Sequence, residues 1–316
     1  MIGNGLAYAA LVVRDVEAVA SALTRHFSLA RTDFPIGKTG RVAPVFGIGE
    51  SALALFEPGD PFVGGQEHTG VHHIVLASED PDGAAGLSES AGVPIAGVEP
   101  DQGLGGTRRI MLSPNATGGV RTYFSLPLPH DLDRSAKGWV EGIDHIGVAC
   151  DDSATAIDAF SHRLGFPVES RQTDMEVQTV MESFTSDKYG VVYHSRPPEP
   201  VAGLRVVFIT VGDCELELLQ DVSPGQVGDV RHGQSGTTRQ DQGAISRFIA
   251  SRGPGLHHVA LKVSDIDHAL VDLERSGHVM IDTTGRPGSR RARIGFIHPR
   301  SLGGILMHLV QRDRLP

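Results

Sequence analysis

The sequence predicts an α+β fold of four βαβββ modules arranged in two pairs. Three observations carry this reading. First, Gly70-Val-His-His-Ile-Val-Leu-Ala77 aligns with Gly255-Leu-His-His-Val-Ala-Leu-Lys262 at an offset of 185 residues. The same offset, with no gap, brings Gly92 onto Gly277, Pro114 onto Pro299 and Gly118-Gly119 onto Gly303-Gly304. One register held over that length marks an internal repeat. Second, Gly5-Leu-Ala-Tyr-Ala-Ala-Leu-Val-Val13 resembles Gly142-Ile-Asp-His-Ile-Gly-Val-Ala149, and Ile48–Phe56 resembles Val211–Leu219. Third, every repeat opens with a strand, continues into a helical pattern and closes with strands punctuated by Gly, Pro and Asp.

The units so defined are roughly 4–60, 67–128, 140–224 and 253–312. Helices are expected over Asp15–Phe27, Ser153–Leu164 and Ile266–Ser276, with Asp15, Asp152 and Asp265 as caps or first-turn acids. Val16, Val19, Ala20 and Leu23 fall on one apolar helix face, and Gly277 suits a helix stop. Pro127–Gly138 is polar and proline-bearing. It divides the chain into an N-terminal pair (1–128), a linker (129–139) and a C-terminal pair (140–316). Ser223–Gln242 is poor in apolar residues and reads as a surface insertion. Arg171–Pro200 is longer than its counterpart in the first unit. A helix is expected around Met175–Phe184, followed by Tyr189-Gly-Val-Val-Tyr-His194. Whether this insertion covers a site, through Tyr189, Tyr193 and His194, or decorates the surface stays open.

Composition excludes several classes. The chain has 316 residues, 40% of them hydrophobic, with a formal net charge of −10. That charge disfavours nucleic acid as a partner, because phosphate contacts need a basic surface. Two cysteines, Cys150 and Cys214, make neither a disulfide framework nor a zinc-finger pattern. No apolar run reaches membrane-spanning length, and the N-terminus lacks the pattern of a signal peptide. A cytoplasmic protein with no membrane partner is the expectation.

Four strands carry ligand-type side chains among apolar neighbours: Gly142–Ala149, Cys214–Leu219, Gly255–Val263 and Gly303–Gln311, the last with His308 at its middle. Burying such groups is costly unless something satisfies them. A metal ion is the simplest candidate.

Those segments resemble the vicinal oxygen chelate superfamily, which embraces glyoxalases, bleomycin-resistance proteins and dioxygenases. Within residues 142–311 the likeness is to methylmalonyl-CoA epimerases. It rests on Gly142–Ala149, Leu216-Glu-Leu-Leu219, Gly253-Pro-Gly-Leu-His-His258 and Gly295-Phe-Ile-His-Pro-Arg-Ser-Leu-Gly-Gly-Ile-Leu306. The four-unit layout is similar to 4-hydroxyphenylpyruvate dioxygenase and the extradiol dioxygenases. The resemblance implies two half-barrel domains, the first metal-free and the second holding one divalent transition metal. Carried over position by position, the metal ligands are His145, Glu217, His258 and His308, with Glu215 as the alternative to Glu217. The family's fourth ligand is a glutamate, where this chain has His308. The same positions of the N-terminal half hold Tyr8, Ala54, His73 and Tyr123, so one metal site per chain is expected, between units three and four.

Three imidazoles with one carboxylate suit Fe, Mn, Co, Ni or Zn and not Mg or Ca. The implied partner is a small-molecule substrate with two chelating oxygens, and the implied chemistry is enolate or oxyanion stabilisation of isomerase, epimerase or lyase type. Glu217 is a candidate catalytic base. His298, in the loop before the last strand, is a candidate catalytic residue. Strand alternation sets His257 on the face opposite His258. Arg205, Arg291 and Arg293 read as surface residues that could otherwise hold an anion, and Gln220 and Gln311 as strand-end polar residues. A non-haem Fe(II) ring-cleaving or 2-oxo-acid dioxygenase is the alternative function, and a metal-free binding protein the third. A homo-oligomer is not needed to complete the site.

Overall fold

The computed structural model describes residues 2–99, 102–129, 132–133, 138–178, 181–188, 190–195, 198–223 and 243–312. The first module runs β1 (Gly5–Val12), α1 (Val16–His26), β2 (Arg31–Pro35), β3 (Val42–Ile48) and β4 (Ser51–Phe56). The second runs β5 (Gly70–Ala77), α2 (Pro81–Ser90), β6 (Ile95–Glu99), β7 (Arg109–Leu112) and β8 (Thr122–Ser125). The third has β9 (Val140–Cys150), α3 (Ser153–Ile157), β10 (Val168–Gln178), a hairpin of β11 (Met181–Ser186) and β12 (Gly190–Ser195), β13 (Glu199–Val211) and β14 (Cys214–Asp221). Helix α4 (Gly243–Arg252) leads into the fourth: β15 (Gly255–Val263), α5 (Ile266–Arg275), β16 (Arg286–Pro287), β17 (Arg293–Ile297) and β18 (Met307–Gln311).

Each pair of modules shares one eight-stranded sheet. The orders are β2-β3-β4-β1-β5-β8-β7-β6 and β10-β13-β14-β9-β15-β18-β17-β16. The opening strands pair antiparallel at the centre, β1 with β5 and β9 with β15. Each is flanked by its own module's last strand in parallel. The fold is therefore four βαβββ modules paired into two half-barrels.

Every helix-opening aspartate does the same work. Asp15, Asp80, Asp152 and Asp265 each accept a hydrogen bond from a backbone N–H of the first turn, satisfying a donor the helix itself cannot. The third helix departs from expectation: after α3 it continues over Asp158–Arg163 in π geometry. Gln220 and Gln311 add a second tie. Gln220 Oε1 accepts from Ser153 Oγ at 2.8 Å, and Gln311 Oε1 accepts from the Ile266 backbone N–H at 3.0 Å. The last strand of each C-terminal module thus holds the start of its helix.

The expected helix over Met175–Phe184 is corrected. Residues of β10 pair with β13 through Gln178, and β11 pairs with β12. Exposure alternates residue by residue along 171–177, which is the period of a strand with one wet face. Helix α4 was not foreseen. Its Ile245, Phe248 and Ile249 pack against Leu204, Phe208 and Leu219. Their i, i+3, i+4 spacing was the available signal, obscured by the polar stretch before it. The insertion 224–242, Tyr189, and the side chains of Tyr193 and His194 lie outside the described residues.

The halves are packed together. One apolar cluster includes Leu11, Phe27 and Leu76 of the first half and Val148, Phe160 and Leu261 of the second. Asp213 reaches across: its carboxylate accepts from the Glu50 backbone N–H at 2.7 Å and from Ser51 Oγ at 2.9 Å. A second cluster, with Tyr8, Val12, Phe62 and Tyr123, fills part of the N-terminal half-barrel. Cys150 and Cys214 are buried free thiols. Among the described residues no helix is long and apolar enough to cross a membrane.

Candidate metal centre

Strand pairing brings the four carried-over ligand positions onto one concave face. Across β9 and β15, Gly147 faces His258, and His145 faces Ala260. Glu217 of β14 faces Gly147, and His308 of β18 faces Ala260. Gly147 and Ala260 are thus the small floor between the four functional side chains. The N-terminal sheet repeats the register: Ala10 faces His73 and Ala54, and Val75 faces Tyr8 and Tyr123.

Two β-bulges aim these side chains. On β9 the register steps from His145 to Ile143 against one step of β15, which makes Asp144 the extra residue. On β15 it steps from Leu256 to His258, which makes His257 the extra residue. A bulge breaks strict alternation, so the expectation that His257 turns away is corrected. His257 lines the same cavity as His258, and its Nδ1 lies 3.0 Å from His258 Nδ1.

The donor atoms converge. His145 Nε2 and His258 Nε2 are 3.4 Å apart. Glu217 Oε2 lies 3.2 Å from the first and 3.4 Å from the second. A ligand atom from each of His145, His258 and His308 lies within 4.8 Å of the others. Donors bound to one ion at about 2.1 Å sit about 3.0 Å apart at right angles and about 3.4 Å apart at the tetrahedral angle, so these spacings fit a transition metal. The His308 ring supplies the second part of the test. It is 3% exposed, and neither ring nitrogen has a hydrogen-bond partner among the described residues. Leaving such a group unsatisfied costs about 1–3 kcal/mol, which an ion at this point would relieve.

Electrostatics agree. Burial disfavours the imidazolium of His145, but Glu217 and Asp144 outweigh it and push its pKa up to about 9. Burial also opposes the Glu217 carboxylate, yet His145 and His258 hold it well below the usual range. For His308 burial dominates, with His258 and His145 adding to it, and the ring is neutral. Glu217 thus offers a carboxylate and His308 a neutral imidazole, the forms a metal takes, while an ion would have to displace the proton that Glu217 and Asp144 keep on His145. Behind it, Asp144 Oδ1 lies 2.7 Å from His145 Nδ1. Arg312 holds Asp144 through two hydrogen bonds, of 2.7 and 2.6 Å. This carboxylate engages Nδ1 of His145 and so leaves Nε2 as the nitrogen turned toward Glu217 and His258.

The cluster stands in a cavity of about 340 Å³ walled by Leu204, Phe208, Ile294 and Phe296, with Arg286 and Arg312 at its polar side. The arginines weighed from sequence are elsewhere: Arg293 pairs with Asp267, Arg205 donates to Gln220, and Arg291 is exposed. Glu215 is not part of the cluster. It is taken up by Arg290, whose guanidinium lies 3.6 Å above the Phe208 ring and also pairs with Glu169. His298 is corrected as well. It caps the turn Pro299–Leu302, its Nδ1 accepting from the Arg300 backbone N–H at 3.2 Å, and it lines a separate groove with Arg14 and Arg252. Asp144 and Arg312 went unrecognised, and His257 was set on the wrong face, because bulges and contacts made past a strand's end leave no periodic trace in sequence.

Two eight-stranded sheets, each built from a pair of βαβββ modules around a central antiparallel strand pair, define the vicinal oxygen chelate fold. Residues 144–296 match the model of the Glyoxalase/Bleomycin resistance protein/Dioxygenase superfamily. The mitochondrial methylmalonyl-CoA epimerase of Mus musculus is 26% identical over 130 residues, 41% of this chain and 64% of that protein. The corresponding epimerase of Dictyostelium discoideum is 28% identical over 131 residues, 40% of this chain and 69% of that protein. The match thus spans less than two thirds of the mouse relative. A triple mutant of 4-hydroxymandelate synthase from Streptomyces coelicolor superposes with a TM-score of 0.61 at 17% identity, covering 99% of this chain and 94% of that one. That likeness extends the shared fold to the N-terminal half.

Proposed function

We propose that this chain is a metal-dependent enzyme of isomerase or epimerase type, acting on a small substrate that offers two oxygens and carries an acidic C–H beside a carbonyl. The observation that carries this reading is the convergence of His145, Glu217, His258 and His308 at the floor of an apolar cavity. These four residues would hold one divalent transition ion, which when bound supplies Lewis acidity to an enolate or other oxyanion. The protein's own contribution is separate. Leu204, Phe208, Ile294 and Phe296 keep water from the reacting carbon, which strengthens every electrostatic interaction inside. Arg286 and Arg312 reach the cavity wall paired with Asp282 and Asp144, and so present N–H donors to a substrate oxygen and not a free charge. Asp144 holds His145 in place. The likeness of 130 residues of this chain to a methylmalonyl-CoA epimerase supports the same reaction class.

The second reading is an Fe(II) dioxygenase. His145, His258 and Glu217 alone form a two-histidine, one-carboxylate set, the set non-haem iron oxygenases use. One experiment separates the readings. Metal-reconstituted protein is incubated in deuterated water under nitrogen with short 2-substituted acyl thioesters, then under air with Fe(II) on 2-oxo acids and catechols. Deuterium entering the α-position without oxygen supports the epimerase reading. Oxygen uptake coupled to substrate loss replaces it with the dioxygenase. Neither activity, with ligand held by metal-free protein, moves the chain to the binding-protein class.

A further inference from the structure

We propose that the concave face of the N-terminal half is a second ligand site, independent of metal, that takes a small organic carboxylate. A cavity of about 580 Å³ opens there, between Phe62, Arg109 and Tyr123. Tyr8, Ala54, His73 and Tyr123 occupy the registers of the candidate ligands His145, Glu217, His258 and His308; of these Tyr123 lines the cavity, and Tyr8 and His73 are buried behind it. The half-barrel has exchanged a metal cradle for a different polar floor.

Arg109 is the centre of that floor. It is 3% exposed, with its guanidinium carbon 4.0 Å from the Phe62 ring centre and 4.7 Å from that of Tyr123. Its Nε pairs with Glu99 at 2.5 Å and its Nη2 donates to the Phe62 carbonyl at 2.9 Å. Its Nη1 is buried with the Tyr8 hydroxyl as its neighbour, short of a well-formed hydrogen bond, and His73 Nε2 has no partner among the described residues. The rings of Tyr8, Phe62 and Tyr123 all lie within 6.0 Å of that of His73, centre to centre, so the unsatisfied atoms belong to one group. Buried donors left this way cost free energy unless a ligand accepts from them.

Charge selects the ligand class. Arg41, Arg109 and Arg121 line the cavity. Glu99 answers Arg109 and Asp60 answers Arg41, while Arg121 meets the neutral amide of Gln66. One positive charge is in surplus, which fits a monoanion. A carboxylate accepts in the plane a guanidinium offers, and Ile36, Val63 and Met111 supply apolar wall for its carbon skeleton.

The test is calorimetric titration of benzoate and acetate into the protein as purified and after chelator treatment, with benzamide as the uncharged isostere. Saturable binding of a carboxylate, but not of benzamide, is expected in both preparations. Arg109→Gln and Arg121→Gln should each weaken it about tenfold or more, as loss of a charge-assisted contact does. Arg121 is exposed at the rim, so its variant carries the test should the buried Arg109→Gln fail to fold. Three results would overturn the proposal: no saturation up to about 10 mM, the weak end of the affinity scale; binding that disappears with the metal; or binding unchanged in both arginine variants.

Discussion

The ring of His258 occupies the space that a side chain on Gly147 would fill. A methyl group there would lie 2.0 Å from His258 Cε1 and 2.2 Å from Nδ1. These residues face each other across the central strand pair, and Glu217 faces Gly147 from the other side. Replacing Gly147 by alanine should therefore displace the imidazole while leaving the sheet paired. Metal content by elemental analysis should fall at least tenfold. A far-ultraviolet dichroism spectrum like that of the wild type would confirm that the loss is local. Full metal content in Gly147→Ala would mean the imidazole is not held where the ion binds.

His308 has no hydrogen bond to lose among the described residues, which makes its replacement informative. His308→Ala should reduce metal content sharply, because ring burial has no other use for either nitrogen. Wild-type protein should hold about one equivalent of Fe, Mn, Co, Ni or Zn per chain. Chelation should lower its melting temperature, since a ligand at a thousandfold over its Kd adds about 4 kcal/mol to stability. If His308→Ala retains its metal and its melting temperature, the centre rests on His145, His258 and Glu217 alone.

Asp144 acts through another residue. Asp144→Asn keeps the shape but gives His145 Nδ1 a choice of hydrogen-bond sense, and metal affinity should fall about 10–100-fold. Arg312→Gln, one contact further away, should have a smaller effect in the same direction. Competitive titration with a chromophoric chelator reads both. Equal affinity in Asp144→Asn would remove Asp144 from the account of the site.

Stability should fall on acidification. Burial, with Arg121 and Arg109 nearby, pushes the His72 pKa down to about 3, and burial likewise lowers His73 well below its ordinary value. In the unfolded chain histidine titrates near 6.5. Between pH 6.5 and 3 the unfolded chain therefore binds a proton at His72 that the folded chain refuses. That histidine's contribution is fully present above pH 6.5 and shrinks as the pH drops, by up to about 1.4 kcal/mol per pH unit. Urea unfolding across this range should show a slope shallower by about one proton in His72→Gln. An unchanged slope would mean that His72 is protonated in the folded protein.

The module plan could be read from sequence because a repeat exposes its own register. The offset that pairs Gly118-Gly119 with Gly303-Gly304 also pairs Tyr123 with His308, and all four glycines adopt positive φ, so the turns before β8 and β18 are the same turn. The four candidate ligand positions were drawn from that register and from the family resemblance together. What escaped depended on contacts that no spacing encodes. His257 reaches the cavity only because of a bulge, Arg312 is joined to Asp144 from just past the end of β18, and Ile245 approaches from a helix hidden behind a polar stretch. His298 misled because a histidine beside a proline next to the last strand looks the same whether it serves a substrate or caps a turn.

The apolar cluster that joins the two sheets has a consequence for how the chain comes apart. Pulling one half-barrel from the other would bring Phe27, Phe160 and their neighbours into water, at about 1.5–3 kcal/mol for each large side chain, and would strip Asp213 of its two partners. Neither half then has an intact surface to stand on. Heating should accordingly give a single cooperative transition, in which loosening of the N-terminal half is felt at once by the strands that carry His145 and Glu217.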